Sequence, residues 1–344
     1  MKIAQVMLAK GFGGAERSFV DITQELVARG LQVLAICETR GKAREMLDGV
    51  PIFPITVRGH WDLLAQRRLQ TILRREAPDI VHAHLARAAK FAGKATLSLQ
   101  IPSLVKTHNY VDLKYYQHVD CLVPTTHDQA RYLLDEGIDP ARVSRIPNFT
   151  AMPLADDARR LDGSEPIRLV AIGRFVHKKG FDLLLDAFSD LSKASNLHLT
   201  IIGDGELRTE LRDMAAALDI GSKVSFPGWS DDIRQELDNA DLFVLPSRDE
   251  PFGIVCLEAM ARGVPIVATR TQGPIEIFDD SSAILVEKNS SDALAAGITA
   301  ALRDKNATHL RAVKALKDCR THFTKEVVVD RYVELYERLT ASTR

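Results

Sequence analysis

The sequence predicts an α/β protein with two domains, each built on a doubly wound parallel sheet. Short apolar runs alternate with longer amphipathic segments along the 344 residues, which is typical of strand and helix units in a parallel sheet. The apolar runs are nearly continuous, as expected where helices cover both faces of a sheet. Because domains average about 150 residues, this length predicts two of them.

The first series of elements occupies residues 1–150. The helix from Ala15 to Arg29 is followed by Gly30. The helix from Trp61 to Ala77 is followed by Pro78, and glycine and proline are common stop signals. The predicted strands are Ile3 to Leu8, Gln32 to Ile36, Ile52 to Val57, Ile80 to His84, Ser103 to Thr107 and Cys121 to Pro124.

A linker and a second series follow. Residues 151–166 lose the apolar periodicity and collect polar residues and prolines, which predicts a linker. Residues 167–324 resume the alternation, and residues 325–344 contain a final helix from Lys325 to Leu339. The elements of the second series are strands Arg168 to Ile172, Leu197 to Ile202, Val224 to Pro227, Leu242 to Pro246, Pro265 to Ala268 and Ala283 to Val286, and helices Phe181 to Leu191, Leu207 to Leu218, Asp231 to Asn239 and Val255 to Arg262.

Two Rossmann-like domains of this kind predict a central cleft that both domains face. Ligands in doubly wound sheets bind beyond the carboxyl ends of the strands, where loops can converge on them. The loops that follow the strands are therefore the places to look for chemistry.

Composition excludes several classes of protein. Lys and Arg total 45 and Asp and Glu 46, a formal net charge of -1, which argues against a dedicated nucleic-acid binder. The four cysteines form no Cys-x-x-Cys pair, so neither a zinc site nor a disulfide framework is predicted. The N-terminus lacks the apolar segment of a signal peptide, and no window has the 18 apolar residues of a membrane span. The sequence predicts a cytoplasmic protein whose membrane contact, if any, is peripheral.

The first domain is basic. Residues 1–150 contain 20 Lys and Arg against 15 Asp and Glu, and the remainder contains 25 against 31. Four arginines share one arc of the predicted second helix: Arg67, Arg68, Arg74 and Arg75. A solvated helix face is the simpler interpretation, and a docking surface for anionic lipid or a charged acceptor is the alternative.

A glycine-rich loop, Gly11-Phe12-Gly13-Gly14-Ala15-Glu16, follows the first strand and opens the first helix. Glycines here let backbone N–H groups approach an anion at the positive end of a helix, although a tight turn without a ligand fits equally well. A dinucleotide fingerprint, with Glu38 as the ribose acid, needs a third glycine where Glu16 stands. A nicotinamide-dependent oxidoreductase is therefore a remote alternative.

A second loop, Gly173-Arg174-Phe175-Val176-His177-Lys178-Lys179-Gly180, lies between a strand and a helix. Arg174 has a planar guanidinium that can bind paired phosphate oxygens, and Lys179 adds a compact charge five residues later. Isolated loop cations are usually solvated. The flanking glycines and the position at a strand end favour a diphosphate site over that interpretation.

The third signal is a block with two glutamates eight residues apart. Glu250 precedes Pro251-Phe252-Gly253-Ile254, and Glu258 lies in the helix that follows. Free N–H groups at the start of that helix can bind negative oxygens, and a carboxylate beside them can accept hydrogen bonds from sugar hydroxyls. The alternative is a helix cap at Glu250 and a surface residue at Glu258.

These loops, with the turn Ile-Ile-Gly-Asp-Gly-Glu-Leu at 201–207, resemble the glycosyltransferase group 1, or family 4, enzymes. The resemblance is densest from 168 to 290. It implies a GT-B fold and the transfer of a sugar from a nucleotide-sugar donor to an acceptor hydroxyl with retention of configuration. The expected acceptor is a cell-envelope glycan such as lipopolysaccharide, capsule or glycolipid, and the final helix is expected to pack on the first domain.

The resemblance also implies roles for matching residues. Arg174 and Lys179 match the residues that bind the donor diphosphate. Glu250 matches a carboxylate near the transferred sugar, and His108 matches a histidine that contacts this sugar. Glu258 matches the carboxylate that binds the ribose hydroxyls.

Further donor contacts follow from the same resemblance. The backbone of Phe252, Gly253 and Ile254 is expected to line the sugar and phosphates. Gly228 lies in the loop that holds the base, and Gly14 in the loop that reaches the distal phosphate or the acceptor.

Two residues are acceptor-side candidates. His84 ends the fourth strand, and Glu16 lies in the first glycine-rich loop. A lone histidine is more often structural than catalytic, so His84 is the secondary candidate.

The chemistry of sugar transfer predicts an electrostatic mechanism. Cleavage builds negative charge on the diphosphate, so cations preorganised around this leaving group dominate catalysis. The sequence has no Asp-x-Asp pair to hold a metal, so neither a metal nor any cofactor beyond the nucleotide-sugar cosubstrate is expected. No carboxylate is placed as a covalent nucleophile, which favours front-face attack. A nucleotide-sugar epimerase or hydrolase on the same fold is the alternative.

Overall fold

The computed structural model describes residues 1–11, 13–108, 110, 112–163, 165–230 and 232–342. The chain forms two compact units, each with its own sheet and cores. Unit 1 comprises Met1–Phe149 and the segment from Thr324, and unit 2 comprises Thr150–Phe323.

The sheet of unit 1 is doubly wound, as the sequence predicts. Its strands are β1 (Lys2–Met7), β2 (Gln32–Glu38), β3 (Ile52–Ile55), β4 (Ile80–His84), β5 (Ser103–Lys106) and β6 (Cys121–Val123). Over the described residues these six strands are all parallel, in the order β3-β2-β1-β4-β5-β6. The order reverses between β1 and β4, where Met7 lies beside His84.

Helices connect these strands. They are α1 (Gly14–Ala28), α2 (Leu63–Glu76), α3 (Leu85–Leu99) and α4 (His127–Asp135), and a C-terminal helix (Lys325–Ala341) completes the unit. Helix α2 starts later than the predicted Trp61 because the Asp62 side chain caps it, accepting a hydrogen bond from the Ala65 amide at 3.0 Å. The sequence analysis gives no bounds for α3 or α4, and the structure defines both helices.

The C-terminal helix packs on α1. Its side chains Val328, Tyr332 and Tyr336 are buried in the core that contains Phe19 and Ile22 of α1. Burying apolar and aromatic area of this kind stabilises a chain end that would otherwise fray. The C-terminal helix therefore belongs to unit 1.

Unit 2 repeats the same topology. Its strands are β7 (Ile167–Ile172), β8 (Leu197–Ile202), β9 (Val224–Gly228), β10 (Leu242–Leu245), β11 (Ile266–Thr269) and β12 (Ile284–Val286). Within the described part of the unit, these six parallel strands follow the order β12-β11-β10-β7-β8-β9. The order reverses between β7 and β10, which is the point where doubly wound sheets bind ligands.

The helices of unit 2 lie between and after its strands. They are α5 (Phe181–Ala194), α6 (Arg208–Ala217), α7 (Arg234–Asn239), α8 (Ile254–Ala261), α9 (Pro274–Ile277), α10 (Ser291–Arg303) and α11 (Lys305–Asp318). Helix α7 begins at Arg234, whereas the sequence predicts a start at Asp231, which lies outside the described residues. The sequence pattern does not delimit α9, α10 or α11.

The segment predicted as a linker, residues 151–166, has neither helix nor strand among its described residues. It packs on unit 2, because the Ala155 amide donates to the carbonyl of Ala261 at 2.7 Å and Met152 and Leu154 contact the core around α8. Its composition is that of a linker, and its contacts are those of a fixed segment.

As for membrane insertion, every helix in the described ranges falls short of the length and apolar content needed to cross a bilayer.

A buried lysine sits in the core of unit 1. Lys106, the last residue of β5, has no exposed surface, and its Nζ donates a hydrogen bond to Ser18 Oγ at 2.8 Å. The same Nζ lies 5.6 Å from the centre of the Phe149 ring and 5.9 Å from that of Tyr332. Burial lowers the pKa of Lys106 to about 7, and the nearby charge of Asp21 opposes this shift.

We expect Lys106→Met to remove a pH dependence of stability. The folded protein releases the Lys106 proton near pH 7, whereas the unfolded chain keeps it to about pH 10.5. The unfolded state thus binds more protons between these values, and the wild type gains stability as the pH rises through this window. The gain is at most about 1.4 kcal/mol per pH unit.

Urea unfolding at a series of pH values from about 6 to 9 measures this slope. The matched control is Lys42→Met, which removes an exposed lysine of the same unit. Equal slopes for Lys106→Met and the wild type would contradict the assignment.

Candidate active site

The candidate site of unit 2 lies where the strand order reverses. Strands β7 and β10 are neighbours in the sheet, and their carboxyl ends are Ile172 and Leu245. The loop 173–180 follows the first of these strands and the loop 246–253 follows the second. Both loops carry residues that the sequence analysis selected.

Glycines allow the backbones of these loops to approach closely. Gly180 has φ +66°, and a Cβ atom there would lie 2.2 Å from the carbonyl oxygen of Pro246. A Cβ on Gly203 would lie 1.9 Å from the carbonyl oxygen of Gly173. A side chain at either position would separate the segments, so these glycines are required by packing as well as by conformation.

An arginine ties the two loops together. The Arg248 guanidinium donates to both carboxylate oxygens of Asp182 at 2.6 and 2.5 Å, and its backbone amide donates to the carbonyl of Lys178 at 2.8 Å. Burial raises the pKa of the Asp182 carboxyl, but the hydrogen bonds and the charge of Arg248, together with backbone hydrogen bonds, outweigh burial, and the net pKa is lowered.

The loops meet in an ion pair between Lys179 and Glu250. Both side chains are largely buried, with 17% and 8% of their surfaces exposed. Ser247 Oγ donates to the same Glu250 oxygen at 3.3 Å, and the Glu250 carbonyl accepts a hydrogen bond from the Gly273 amide at 2.8 Å. Glu250 is therefore fixed through both its side chain and its backbone.

Arg174 differs from Lys179. It is exposed, and the described residues provide its guanidinium with no ion pair or hydrogen bond, although its carbonyl accepts a hydrogen bond from the Val176 amide at 2.9 Å. Its neighbour Phe175 is fully buried, and the Phe175 amide donates to the carbonyl of Asp204 at 2.9 Å. The Arg174 guanidinium thus faces solvent, while the backbone of the next residue is fixed by hydrogen bonding and burial.

The start of helix α8 adjoins Glu250. Gly253 caps this helix with φ +88°, and a Cβ there would lie 3.2 Å from Glu250 Cγ. Phe252 is buried, and no hydrogen bond between described residues uses the amides of Phe252, Gly253 or Ile254. Amides in this arrangement can bind an anion. Glu258 lies on the same helix and is 9% exposed.

The loop expected to hold a base, Pro227-Gly228-Trp229, includes the last residue of β9, Gly228. Gly228 has φ +99°, and its carbonyl accepts a hydrogen bond from the Gly203 amide at 2.9 Å. This bond connects the end of β9 with the glycine that packs on Gly173. Gly228 is therefore joined by backbone contacts to the loop of Arg174.

The other sequence candidates lie in unit 1. Gly14 is the first residue of α1, and Glu16, in the first turn of that helix, is 9% exposed. Phe12 of the same loop lies outside the described residues. The structure thus divides the candidates between two units, and their proposed roles in unit 1 stay predictions.

His108 has a left-handed backbone with φ +62°, which is costly for a non-glycine residue. Its Nε2 is buried without a hydrogen-bond partner among the described residues. Burial lowers the pKa of the imidazole well below its ordinary value, and the charge of Lys106 adds to the shift. His108 is therefore held neutral in a strained position.

His84 is fully buried in unit 1. Its Nε2 shares a hydrogen bond of 2.9 Å with Gln5 Oε1, and its ring stacks on that of His82 at 4.3 Å. His82 Nδ1 in turn lies 2.7 Å from the hydroxyl of Tyr336 on the C-terminal helix. These contacts give His84 a structural role, and its contact with an acceptor stays a prediction.

Sequence reasoning missed the residues that support the site. Ser247 and Arg248 lie within the block before Glu250, and Asp182 lies in the first turn of α5. The only sequence signal was their position beside the chemistry-bearing loops. Across the described ranges, no three His, Cys, Asp or Glu side chains are grouped so that they could hold a metal ion.

Comparison with known families matches both units. The family model described as Glycosyl transferases group 1 matches residues 156–318, and that described as Glycosyltransferase Family 4 matches residues 12–151. The lipopolysaccharide core biosynthesis glycosyltransferase LpsE of Rhizobium meliloti (strain 1021) is 31% identical to this chain, over 97% of this chain and 98% of the relative. LpsD of the same strain is also 31% identical, over 95% of each chain.

Solved structures share the fold at lower identity. The Anabaena protein Alr3699/HepE in complex with UDP has a TM-score of 0.84 and 19% identity, over 98% of this chain and 100% of that chain. A glycosyltransferase from Rickettsia africae has a TM-score of 0.87 and 19% identity, over 98% of each chain.

The two doubly wound sheets and the likeness to these solved structures show a GT-B fold, which confirms the fold expected from the sequence. The chain belongs to the glycosyltransferase group 1 and family 4 enzymes, as its motifs indicate.

Gly180→Ala is expected to disrupt the junction of the two loops. The added Cβ would clash with the Pro246 carbonyl, and the backbone would be strained at φ +66°. We expect a loss of about 1–3 kcal/mol in the free energy of unfolding, measured by thermal or urea unfolding.

Gly221→Ala is the matched control, because a Cβ there meets nothing within 4 Å. The control should stay within about 0.5 kcal/mol of the wild type. Equal stability of the two variants would show that the close approach at Gly180 is unimportant.

Proposed function

We propose that unit 2 binds a nucleotide-sugar donor and that the enzyme transfers the sugar, with retention, to a hydroxyl of a cell-envelope glycan. One observation carries the donor assignment: Arg174 and Lys179 share one glycine-flanked loop at the end of β7. Two cations at the point where the strand order reverses suit the charge of a diphosphate.

The two cations would act differently. Arg174 is exposed and unpaired among the described residues, so its guanidinium can bind paired phosphate oxygens without losing another partner. Lys179 is paired with Glu250, so a phosphate oxygen would compete with that carboxylate for the ammonium. The Glu250 carboxylate would then be released from its ion pair and could accept hydrogen bonds from sugar hydroxyls.

The bond changes balance without a covalent enzyme intermediate. The bond between the anomeric carbon and the phosphate oxygen breaks, and the acceptor oxygen attacks from the same face. The acceptor proton passes to the leaving phosphate oxygen, which carries the developing negative charge. Arg174 and Lys179 stabilise this charge, as do the amides at the start of α8, so the proposal needs no metal.

Other residues would position the donor. Glu258 would bind the ribose hydroxyls, and backbone groups near Gly228 would hold the base. In unit 1, His108 is neutral, so it can donate or accept a hydrogen bond with the sugar. Gly14 would present its amide to the distal phosphate or to the acceptor.

The names of similar proteins support the substrate classes. LpsE and LpsD are named for lipopolysaccharide core biosynthesis, and both align with nearly all of this chain. Solved structures of Alr3699/HepE contain UDP or UDP-glucose. These relatives favour a cell-envelope acceptor and make UDP-sugars the first donors to test.

We also propose that α2 docks on an anionic membrane surface. Beside its start, Trp61, Leu63 and Leu64 have 77%, 73% and 62% of their surfaces exposed. All four arginines of the predicted arc are exposed as well: Arg67, Arg68, Arg74 and Arg75. Aromatic and aliphatic groups next to arginines favour a surface where acyl chains meet anionic headgroups.

Arg174→Gln is expected to lower sugar transfer about tenfold to a hundredfold, because one charge-assisted hydrogen bond is worth about 1.5–3 kcal/mol. Lys179→Gln should lower it similarly, and would in addition leave Glu250 unpaired. Mass spectrometry measures the effect as release of nucleoside diphosphate. The donors tested are UDP-, GDP- and ADP-sugars, each with and without a lipopolysaccharide core acceptor.

Lys178→Gln is the control, since it removes an exposed neighbouring charge and should keep wild-type transfer. Addition of EDTA should also leave transfer unchanged. Equal donor consumption with and without acceptor would instead indicate a hydrolase, and an isomerised sugar an epimerase. Tight NAD binding without any response to nucleoside diphosphates would overturn the proposal.

Arg67→Gln/Arg68→Gln is expected to weaken binding to anionic vesicles about thirtyfold, because each arginine near such a surface contributes about 1 kcal/mol. Flotation with phosphatidylglycerol and phosphatidylcholine vesicles measures the bound fraction. The control Arg40→Gln/Arg131→Gln removes the same charge from exposed positions elsewhere in unit 1. Failure of the wild type to bind either vesicle would remove the docking proposal.

A further inference from the structure

Unit 1 contains a cavity that the proposed donor site does not use. Its volume is about 350 Å³, and it is open to solvent. We call it the lysine pocket, and it is lined by His60, Lys90, Lys94, Lys114, Tyr115, Gln117 and His118. These residues come from the segment after β3, from helix α3 and from the segment between β5 and β6.

The lining is strongly basic. Three of the lining residues are lysines and two are histidines, and none is acidic. Lys114 forms an ion pair with Asp112, whereas the described part of the chain gives Lys90 and Lys94 no carboxylate partner. Positive charge is therefore concentrated around a space that solutes can enter.

An aromatic ring organises these charges. Lys90 Nζ lies 5.8 Å and Lys114 Nζ 5.0 Å from the centre of the Tyr115 ring. The imidazole of His60 stacks on the same ring, with 4.7 Å between the ring centres. Two of the three lysines and His60 are thus grouped around one aromatic ring.

The wall formed by α3 and the segment before β6 is also fixed. A Cβ on Gly93 of α3 would lie 2.9 Å from the carbonyl carbon of His118, so the segment before β6 packs directly on the helix. Lys90 and Lys94 lie one turn apart on this helix and share a face. The side of the pocket that carries Lys90, Lys94 and His118 is therefore formed by packed backbone.

The pKa of His60 depends on the positive charge around the pocket. Its Nδ1 is buried without a hydrogen-bond partner among the described residues. Burial lowers the pKa of its imidazole, and the positive charges of Arg87, Lys90 and Lys114 lower it further. A bound anion would offset those charges and raise this pKa again.

We infer that the lysine pocket binds a phosphate group carried by the glycan acceptor. Lysines act as point charges for phosphate, and several of them around one space suit a group of nearly two negative charges better than a carboxylate of one. The volume is large enough for a phosphate and part of the sugar that bears it. The acceptor part of this inference rests on the proposed function.

Direct titration tests the pocket without the transfer reaction. Calorimetry with a hexose 6-phosphate, inorganic phosphate or the unphosphorylated hexose compares ligands on the full chain. We expect the hexose phosphate to bind best and Lys90→Gln/Lys94→Gln to weaken it at least tenfold. The control Arg40→Gln/Arg131→Gln removes the same charge and should keep wild-type affinity.

NMR localises the binding, because phosphate could also bind at Arg174. The His60 resonance is assigned with His60→Asn, and its apparent pKa should rise when the hexose phosphate is added. The Arg174→Gln variant should show the same rise. A His60 pKa that does not respond, or a hexose phosphate affinity unchanged in Lys90→Gln/Lys94→Gln, overturns the inference.

The remaining outcomes separate the sources of phosphate. Binding to vesicles of phosphatidic acid and phosphatidylcholine that is weakened in Lys90→Gln/Lys94→Gln, with no response to the hexose phosphate, would assign the pocket to lipid headgroups and overturn the acceptor inference. Equal affinity for inorganic phosphate and the hexose phosphate would overturn it too. The binding titrations contain no donor and do not depend on sugar transfer. Absence of sugar transfer in the earlier experiment would therefore contradict the proposed function and leave phosphate binding by the pocket intact.

Discussion

The site of unit 2 depends on one backbone contact, the approach of Gly180 to the carbonyl of Pro246. Only a residue without a side chain allows this distance, and the contact fixes how far the two loops lie from each other. With that spacing set, Arg248 can bridge to Asp182. Lys179 then reaches Glu250, which lies in the neighbouring loop.

The ion pair at this junction explains why two cations on one loop differ. Burying a lone ammonium is costly, and so is burying a lone carboxylate, so Lys179 and Glu250 stabilise each other while no ligand is bound. Arg174 is solvated and needs no such partner. A diphosphate would thus gain one cation at little cost and a second by exchange with Glu250.

The two units have the same strand order but different groups where that order reverses. In unit 1 this place holds neutral, buried side chains, with His84 bonded to Gln5 and His82 to Tyr336. The C-terminal helix supplies Tyr336 and so shields these histidines from solvent. Two clusters of basic residues in unit 1 lie instead on its surface, in the arginines of α2 and in the lysine pocket.

The sequence by itself determined the strand and helix alternation and the loops of Arg174 and Glu250, because periodicity, glycine placement and strand ends are local properties of the chain. Only the tertiary structure decided what those loops meet. It buried Lys106 and His84, which the sequence leaves at strand ends like any other polar residue, and it brought Arg248 to Asp182 across 66 positions. It also assembled the lysine pocket from three separate segments. Burial and pairing depend on packing between distant segments, and no local pattern encodes those distances.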